Sequence, residues 1–330
     1  MTLMTKFLGA SAALALSAGA ALADPALIFD LGGKFDKSFN ESMFNGAEKF
    51  KAETGVAYGE FEIANEAQRE QAIRNFADQG YSPIIAAGFA QAAAVEKVAK
   101  EYPDLKFAIV DMVVDLPNVQ SIVFKEHEGS YLVGLMAGMA SKSGKVGFVG
   151  GMDIPLIRKF GCGYAQGVKA AKADATVIQN MTGDTGAAWN DPVKGGEITK
   201  GQMAQGADVV YAAAGATGLG VLQAAADGGA LSIGVDANQN YLHPGKVLTS
   251  MLKRVDVAVF SVMKGGNAGF KPGIQVLGLA EDGVGYAMDD NNKPLVSADM
   301  LAAVEKAKAD IIAGTIKVHD YTADNTCPVQ

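Results

Sequence analysis

From residue 26 onward the chain alternates between short β-branched runs and longer amphipathic stretches, and this alternation constrains the fold more than any other feature. The runs at 26–30, 58–64, 83–88, 106–111, 119–124, 145–151, 175–181, 209–215, 231–236 and 247–253 read as strands. Between them lie helical patterns such as 66–79, with Ala67, Ile73 and Phe76 apolar, and 90–100, with Val95 and Val98 three apart. Strands separated by helices pair in parallel, because each return needs a crossover, and parallel strands need cover on both faces. The expected class is therefore α/β. One sheet seldom needs ten strands, and a chain of 330 residues exceeds the size at which a single core stops growing, so two lobes are expected. No Pro- or Ser-rich linker separates them. The division falls near 126–129, where the first five strands end and a long apolar helix at 131–140 begins. The segments 256–264 and 274–278 read as a further helix and strand, and several crossings between lobes account for the missing linker.

With 49% hydrophobic and 19% charged residues the chain is expected to be ordered, not disordered or collagen-like. Its net charge of −8, without a run of five basic residues, argues against nucleic acid or an anionic membrane surface as partner. Lys6, the apolar stretch 7–22 and the small-x-small run Ala21-Leu22-Ala23 read as a secretory leader, residues 1–23, cleaved before Asp24. An uncleaved anchor would need about 20 apolar residues, and this stretch is short and carries Gly and Ser. Loss of Lys6 with the leader leaves 27 − 36 = −9 for residues 24–330. The first cysteine is Cys162, so no lipid attachment point lies near the cleavage site, and the expected location is the periplasm without a lipid anchor. In that oxidising compartment Cys162 and Cys327 are expected to form a disulfide, the alternative being two isolated thiols.

Catalytic and cofactor motifs are missing from the pattern. His127, His243 and His319 are far apart and form no paired metal motif. There is no G-x-S-x-G elbow, and Cys162 has no catalytic signature beside it. The run SGKV at 143–146 lacks the rest of a P-loop, and GATGLG at 215–220 has its glycines in the wrong order for a dinucleotide fingerprint. Gly215 reads instead as a tight strand-to-helix turn that brings backbone N–H groups to a ligand. No cofactor, no metal and no enzymatic activity are expected. Many strands end in an acid or a glycine: Asp30, Gly88, Asp111, Gly151, Gly215 and Asp236. A single strand-end Asp is commonly a cap. Three of them at equivalent ends, where open parallel sheets bind ligands, point to a polar ligand rich in hydroxyl groups.

Seven motifs in order, DKSFN at 36–40, EGSYLVG at 128–134, VGFVGGMDIP at 146–155, WNDP at 189–192, AGATG at 214–218, GVD at 234–236 and TSMLK at 249–253, resemble the basic membrane protein (BMP) family. Its members are substrate-binding proteins of ABC importers, many specific for purine nucleosides. The resemblance implies a type I periplasmic-binding fold, with two Rossmann-like lobes built on parallel sheets, three hinge crossovers and closure on ligand. Lobe 1 is then 24–127 plus about 255–285, and lobe 2 is 128–254 plus about 286–330. The resemblance assigns Phe39 and Tyr211 to stacking on the base, Asp236 and Lys253 to the ribose, Asp30 and Asp111 to polar contacts on the first lobe, and Asn40 to the base edge; ordinary strand core is the alternative for Tyr211. Trp189, in the WNDP turn, is read as packing there, with stacking on the ligand as the alternative. It implies a nucleoside ligand, a permease in the inner membrane and a monomer. The chain departs from the family in lacking a lipid-anchoring Cys, in Ala216 where Gly is common, and in Tyr211 where Phe is common. Another ribosylated or flavin-like solute is the alternative ligand. A secreted nucleoside hydrolase would need a dense Asp run near the first strand, and a sugar-responsive repressor would need an N-terminal DNA-binding helix pair in place of the leader.

Overall fold

The structure is a computed structural model that describes residues 23–329, so the expected leader lies outside the described residues except for Ala23. The first half runs β1 (Ala26–Phe29), α1 (Phe39–Thr54), β2 (Gly59–Glu62), α2 (Gln68–Asp78), β3 (Ile84–Ala86), α3 (Ala92–Glu101), β4 (Phe107–Val110) and β5 (Val119–Phe124). It continues through α4 (Glu126–Ala140), β6 (Lys145–Met152), α5 (Pro155–Ala171), β7 (Thr176–Gly183), α6 (Pro192–Ala204), β8 (Val209–Ala213), α7 (Thr217–Asp227), β9 (Leu231–Asp236) and β10 (Val247–Lys253). The chain closes with α8 (Val255–Gly265), β11 (Gly273–Leu277), β12 (Val284–Tyr286) and α9 (Ala298–Ile312).

Two six-stranded sheets result, ordered β11-β5-β4-β3-β1-β2 and β12-β10-β9-β8-β6-β7. The first is parallel throughout, and the second is parallel except for β12, which runs antiparallel to β10. The chain therefore passes between sheets three times, through α4, through α8 and between β11 and β12. Central strands such as β1 and β4 are buried along their whole length, as parallel strands covered by helices on both faces must be. All ten runs read from the sequence form strands, each ending within three residues of its expected limits.

Two boundaries differ from expectation. The helix expected at 131–140 starts at Glu126, because Glu126, His127 and Glu128 are buried in its first turn despite their polarity. A division at 127/128 thus falls inside α4 and not in a loop. Residues 284–285, expected with the first lobe, pair with β10 in the second sheet, Lys253 lying opposite Val284.

Helices α4 and α5 cross in very close contact. An added Cβ at Gly134 or Gly167 would come closer than 3.0 Å to the carbonyl oxygens of Tyr164 and Tyr131 respectively. Helix α5 starts with Pro155 at its first turn, and α6 is capped by Asp191, whose side chain accepts the Lys194 N–H. The C-terminal segment beyond α9 returns to α5, where Cys327 is joined to Cys162 in a disulfide, with the Cα atoms 5.6 Å apart.

Candidate ligand-binding cleft

The carboxyl ends of the strands of both sheets face one cleft of about 630 Å³, part of it open to solvent. Asp30, Asp36, Phe39, Asn40, Gly88, Phe89 and Asp111 line it from the first lobe, and Leu156, Ile157, Phe160, Trp189, Gly215, Asp236 and Lys253 from the second. Asp111 and Asp236, each beside the end of a strand, adopt positive φ angles of 72° and 65°. Asp tolerates this left-handed conformation better than most residues, and the reversal sends the chain away from the sheet just where a carboxylate meets the cleft.

Lys253 is 2% exposed, and its Nζ lies 2.7 Å from Asp111 Oδ1 and 3.0 Å from Glu126 Oε1. The rings of Phe39, Phe124 and Phe160 surround it at 5.3, 5.2 and 5.5 Å. Burial opposes the charge, but Asp111, Glu126 and Asp236 outweigh it and raise the Lys253 pKa, so the ammonium is held. Burial pushes the Asp111 carboxyl up, against the pull of Lys253 beside it. Burial also raises Asp236, opposed by Lys253 and by Ser38, whose Oγ donates to Asp236 Oδ2 at 2.5 Å. Asp36 caps α1 from outside the helix: Oδ1 accepts the N–H groups of Ser38 and Glu41, and Oδ2 accepts that of Asn40. Even so, burial pushes its pKa up to about 7.

Asp30 is held by Arg69, whose guanidinium donates to Oδ1 at 3.0 Å, and by the Leu31 N–H. Gly88, at φ 89°, makes room beside it, since a Cβ there would lie 2.6 Å from Asp30 Oδ2. Gly215, at φ 57°, turns the chain into α7 against the Trp189 carbonyl. The Trp189 turn is pinned to this same corner, Thr217 Oγ1 donating to the Ala188 carbonyl and accepting the Asp191 N–H. Trp189 therefore packs in its turn, against Gly151, and also lines the cleft.

Of the eight residues read from the sequence, Asp30, Phe39, Asn40, Asp111, Gly215, Asp236 and Lys253 line the cleft, and Tyr211 does not. Tyr211 sits in the middle of β8, fully buried, with its ring 5.4 Å from Phe148 and 5.2 Å from Tyr164. A residue at mid-strand reaches core, and the aromatic surface on this lobe comes from Phe160 and Trp189 instead. Asn40 lines the cleft, but its amide is committed to backbone: Nδ2 donates to the Asp30 and Gly33 carbonyls, and Oδ1 accepts the Asp30 N–H. It shapes the end of β1 and leaves little for a base edge. Sequence reading missed Phe160, Ser38, Arg69 and Glu126. The spacing of Leu156 and Phe160 on one face of α5 was a usable signal for Phe160; the other three owe their place to long-range packing.

A two-lobe α/β fold with parallel sheets and a polar-aromatic cleft between them is the architecture that solute-binding proteins share. The family model for ABC transporter substrate-binding proteins, PnrA-like (Bmp), matches residues 25–322, and the chain belongs to that family. It is a family of substrate-binding proteins, not of enzymes. The chain is 33% identical over 320 residues to the ABC transporter nucleoside-binding protein BmpA of Lactococcus lactis, covering 89% of this chain and 88% of the relative. It is 35% identical over 274 residues to an uncharacterized lipoprotein of Pyrococcus horikoshii, covering 79% and 68%. The crystal structure of an ABC transporter solute-binding protein from Aeropyrum pernix superposes with a TM-score of 0.82 at 30% identity, covering 89% of this chain and 92% of that one.

Proposed function

We propose that the cleft captures a nucleoside, with a purine nucleoside favoured over other ribosylated or flavin-like solutes, for delivery to an ABC permease in the inner membrane. The observation that carries this reading is the meeting of aromatic walls on both lobes with a buried carboxylate–ammonium pair. A purine has two π faces, and each stack on an aromatic side chain contributes about 1 to 3 kcal/mol in comparable sites. Phe39 on one lobe and Phe160 with Trp189 on the other supply such faces. Vicinal ribose hydroxyls both donate and accept. Asp236 accepts a hydrogen bond from a hydroxyl, and Lys253, which donates to Asp111 Oδ2 at 2.7 Å and is ion-paired with Glu126 at 3.0 Å, keeps a donor for a ribose oxygen. The relative named for nucleoside binding supports the same ligand class.

In this reading Asp30, Phe39, Asp111, Gly215, Asp236 and Lys253 face the ligand, Asn40 shapes the cleft wall through its bonds to backbone, and Tyr211 supports the site from the core. Residues 24–127 with about 255–283, and 128–254 with about 284–329, close on the ligand as two lobes of a monomer. In this reading the leader is removed after Ala23 and the protein works in the periplasm; a relative is described as a lipoprotein. The decisive experiment is mass spectrometry of small molecules released by denaturing the purified protein, followed by calorimetry with inosine and 2′-deoxyinosine. Asp236→Ala is expected to cost inosine about 1.5 to 3 kcal/mol, the range for hydrogen bonds to a charged group, and to cost the deoxy ligand less. Absence of any nucleoside binding at millimolar ligand removes the assignment.

A further inference from the structure

A line of alternating charges leaves the cleft at Lys253 and ends outside it, on the C-terminal segment. Lys253 Nζ lies 3.0 Å from Glu126 Oε1, and the other Glu126 oxygen lies 3.0 Å from Lys159 Nζ. Lys159 lies 3.5 Å from Asp320 Oδ2 and donates to the Phe124 carbonyl at 2.8 Å. Lys253 and Glu126 are 2% and 1% exposed and Lys159 is 8% exposed, so the pairs among these three act where water screens little, while Asp320, with 32% of its side chain exposed, meets Lys159 at the solvent edge. The groups come from β10, α4, α5 and the C-terminal segment, and with Asp111 they span both lobes.

The C-terminal segment is built to present Asp320. Its Oδ1 accepts from Thr322 N–H at 2.9 Å and Thr322 Oγ1 at 2.7 Å, which aims Oδ2 at Lys159, with His127 Nδ1 3.7 Å away. Helix α5 grips the segment on both sides of Asp320. Gln166 donates to the His319 carbonyl and accepts the His319 N–H, and Cys162 holds Cys327 by the disulfide. Lys159, Cys162 and Gln166 are spaced three and four apart, on one face of α5, while Leu156, Ile157 and Phe160 of the same helix line the cleft. One helix thus carries both the cleft wall and the seat of the segment.

We propose that Asp320 is a positioning residue for the ligand cleft: by balancing Lys159 it leaves Glu126 free to hold Lys253, and the disulfide keeps it there. Without its carboxylate, Lys159 draws Glu126 away from Lys253. The buried ammonium in the cleft then loses one of its two fixed partners. The proposal rests on the nucleoside reading for its binding measurement alone.

The test compares wild type, Asp320→Asn, Asp320→Glu, Lys159→Met and the double variant Asp320→Asn/Lys159→Met, titrated with inosine. Asp320→Asn is expected to weaken binding roughly 2- to 30-fold, the range for mutations along a coupled network. Asp320→Glu should recover most of that loss, and in the Lys159→Met background Asp320→Asn should have no further effect. If Asp320→Asn does not fold, the pair Cys162→Ser/Cys327→Ser, which releases the segment with its carboxylate intact, should show a loss of the same size. Unchanged affinity with a lowered melting temperature would assign Asp320 a structural role and overturn the proposal. Should wild type bind no nucleoside, the ligand reading fails and an unliganded measurement decides. The Lys253 side-chain NMR signal, assigned by Lys253→Arg, should shift in Asp320→Asn, and an unmoved signal overturns the positioning role independently.

Discussion

Phe160 lines the cleft where the family resemblance placed Tyr211, and Tyr211 is core. Tyr211 lies in a strand of a buried sheet, and its hydroxyl meets Ser130 at 3.4 Å inside the core. Phe160 sits on a helix whose other face carries the C-terminal segment, and its ring reaches the cleft. Tyr211→Phe is therefore expected to leave nucleoside affinity unchanged and to alter stability by no more than about 1 kcal/mol. Phe160→Ala should weaken binding by about 1 to 3 kcal/mol. Calorimetry on both variants with urea unfolding as control checks this, and a large affinity loss in Tyr211→Phe would contradict the placement. Asp36 supplies a pH signature. Its folded pKa of about 7 stands above the ordinary 3.8, so the folded state resists losing that proton. The unfolded chain releases it first as pH rises from 3.8 toward 7, and this group's contribution to stability declines across that window. Asp36→Asn lacks the ionisation, so the stability difference between wild type and variant should drift against wild type from pH 4 to 7. Urea midpoints at four pH values measure it; a constant difference refutes the shift.

At the scale of elements, the contact between α4 and α5 sets where the cleft wall stands. Gly134 and Gly167 let the two backbones meet with no side chain between them. Gly167→Ala must push the helices apart, at a cost of about 1 to 3 kcal/mol for overpacking, and the displacement moves Phe160 with its helix. Loss of both thermal stability and nucleoside affinity is the expected result. A variant as stable as wild type would show that the crossing tolerates a methyl group. The strands themselves were legible in the sequence, because β-branched runs, several of them ending in Gly or Asp, alternate with helical patterns. The start of α4 was not, since two acids and a histidine open it and no apolar period reports that Lys253 and Lys159 meet Glu126 there.

For the whole molecule, the two lobes are bonded to each other across the mouth as well as in the floor of the cleft. Ser38 donates to Asp236, Gln239 Nε2 donates to the Lys37 carbonyl at 3.0 Å, and Lys253 pairs with Asp111. All three join residues of different lobes, so opening the cleft breaks them together. Ser38→Ala removes one, a bond to a charged group with a net contribution of about 1.5 to 3 kcal/mol. The unliganded variant should open more often than wild type and show a larger radius of gyration in small-angle X-ray scattering, with nucleoside restoring the compact form. Identical profiles for the two unliganded proteins would show that the Ser38 bond does not hold the lobes.

The amino-acid sequence by itself determined the α/β class, the ten principal strands and the acids at their ends, because strand period, helix period and the residues that end each element are local properties. The motifs carried the family, and with it six cleft residues besides Asn40. What the tertiary structure decided is which groups meet: the turn of the Asn40 amide back onto Asp30, the burial of Tyr211, the fastening of Asp30 by Arg69, and the joining of Glu126, Lys159 and Asp320. Those contacts link elements far apart in the chain. A charge pair forms or fails over an ångström, and no local period fixes the distance between two helices to that precision.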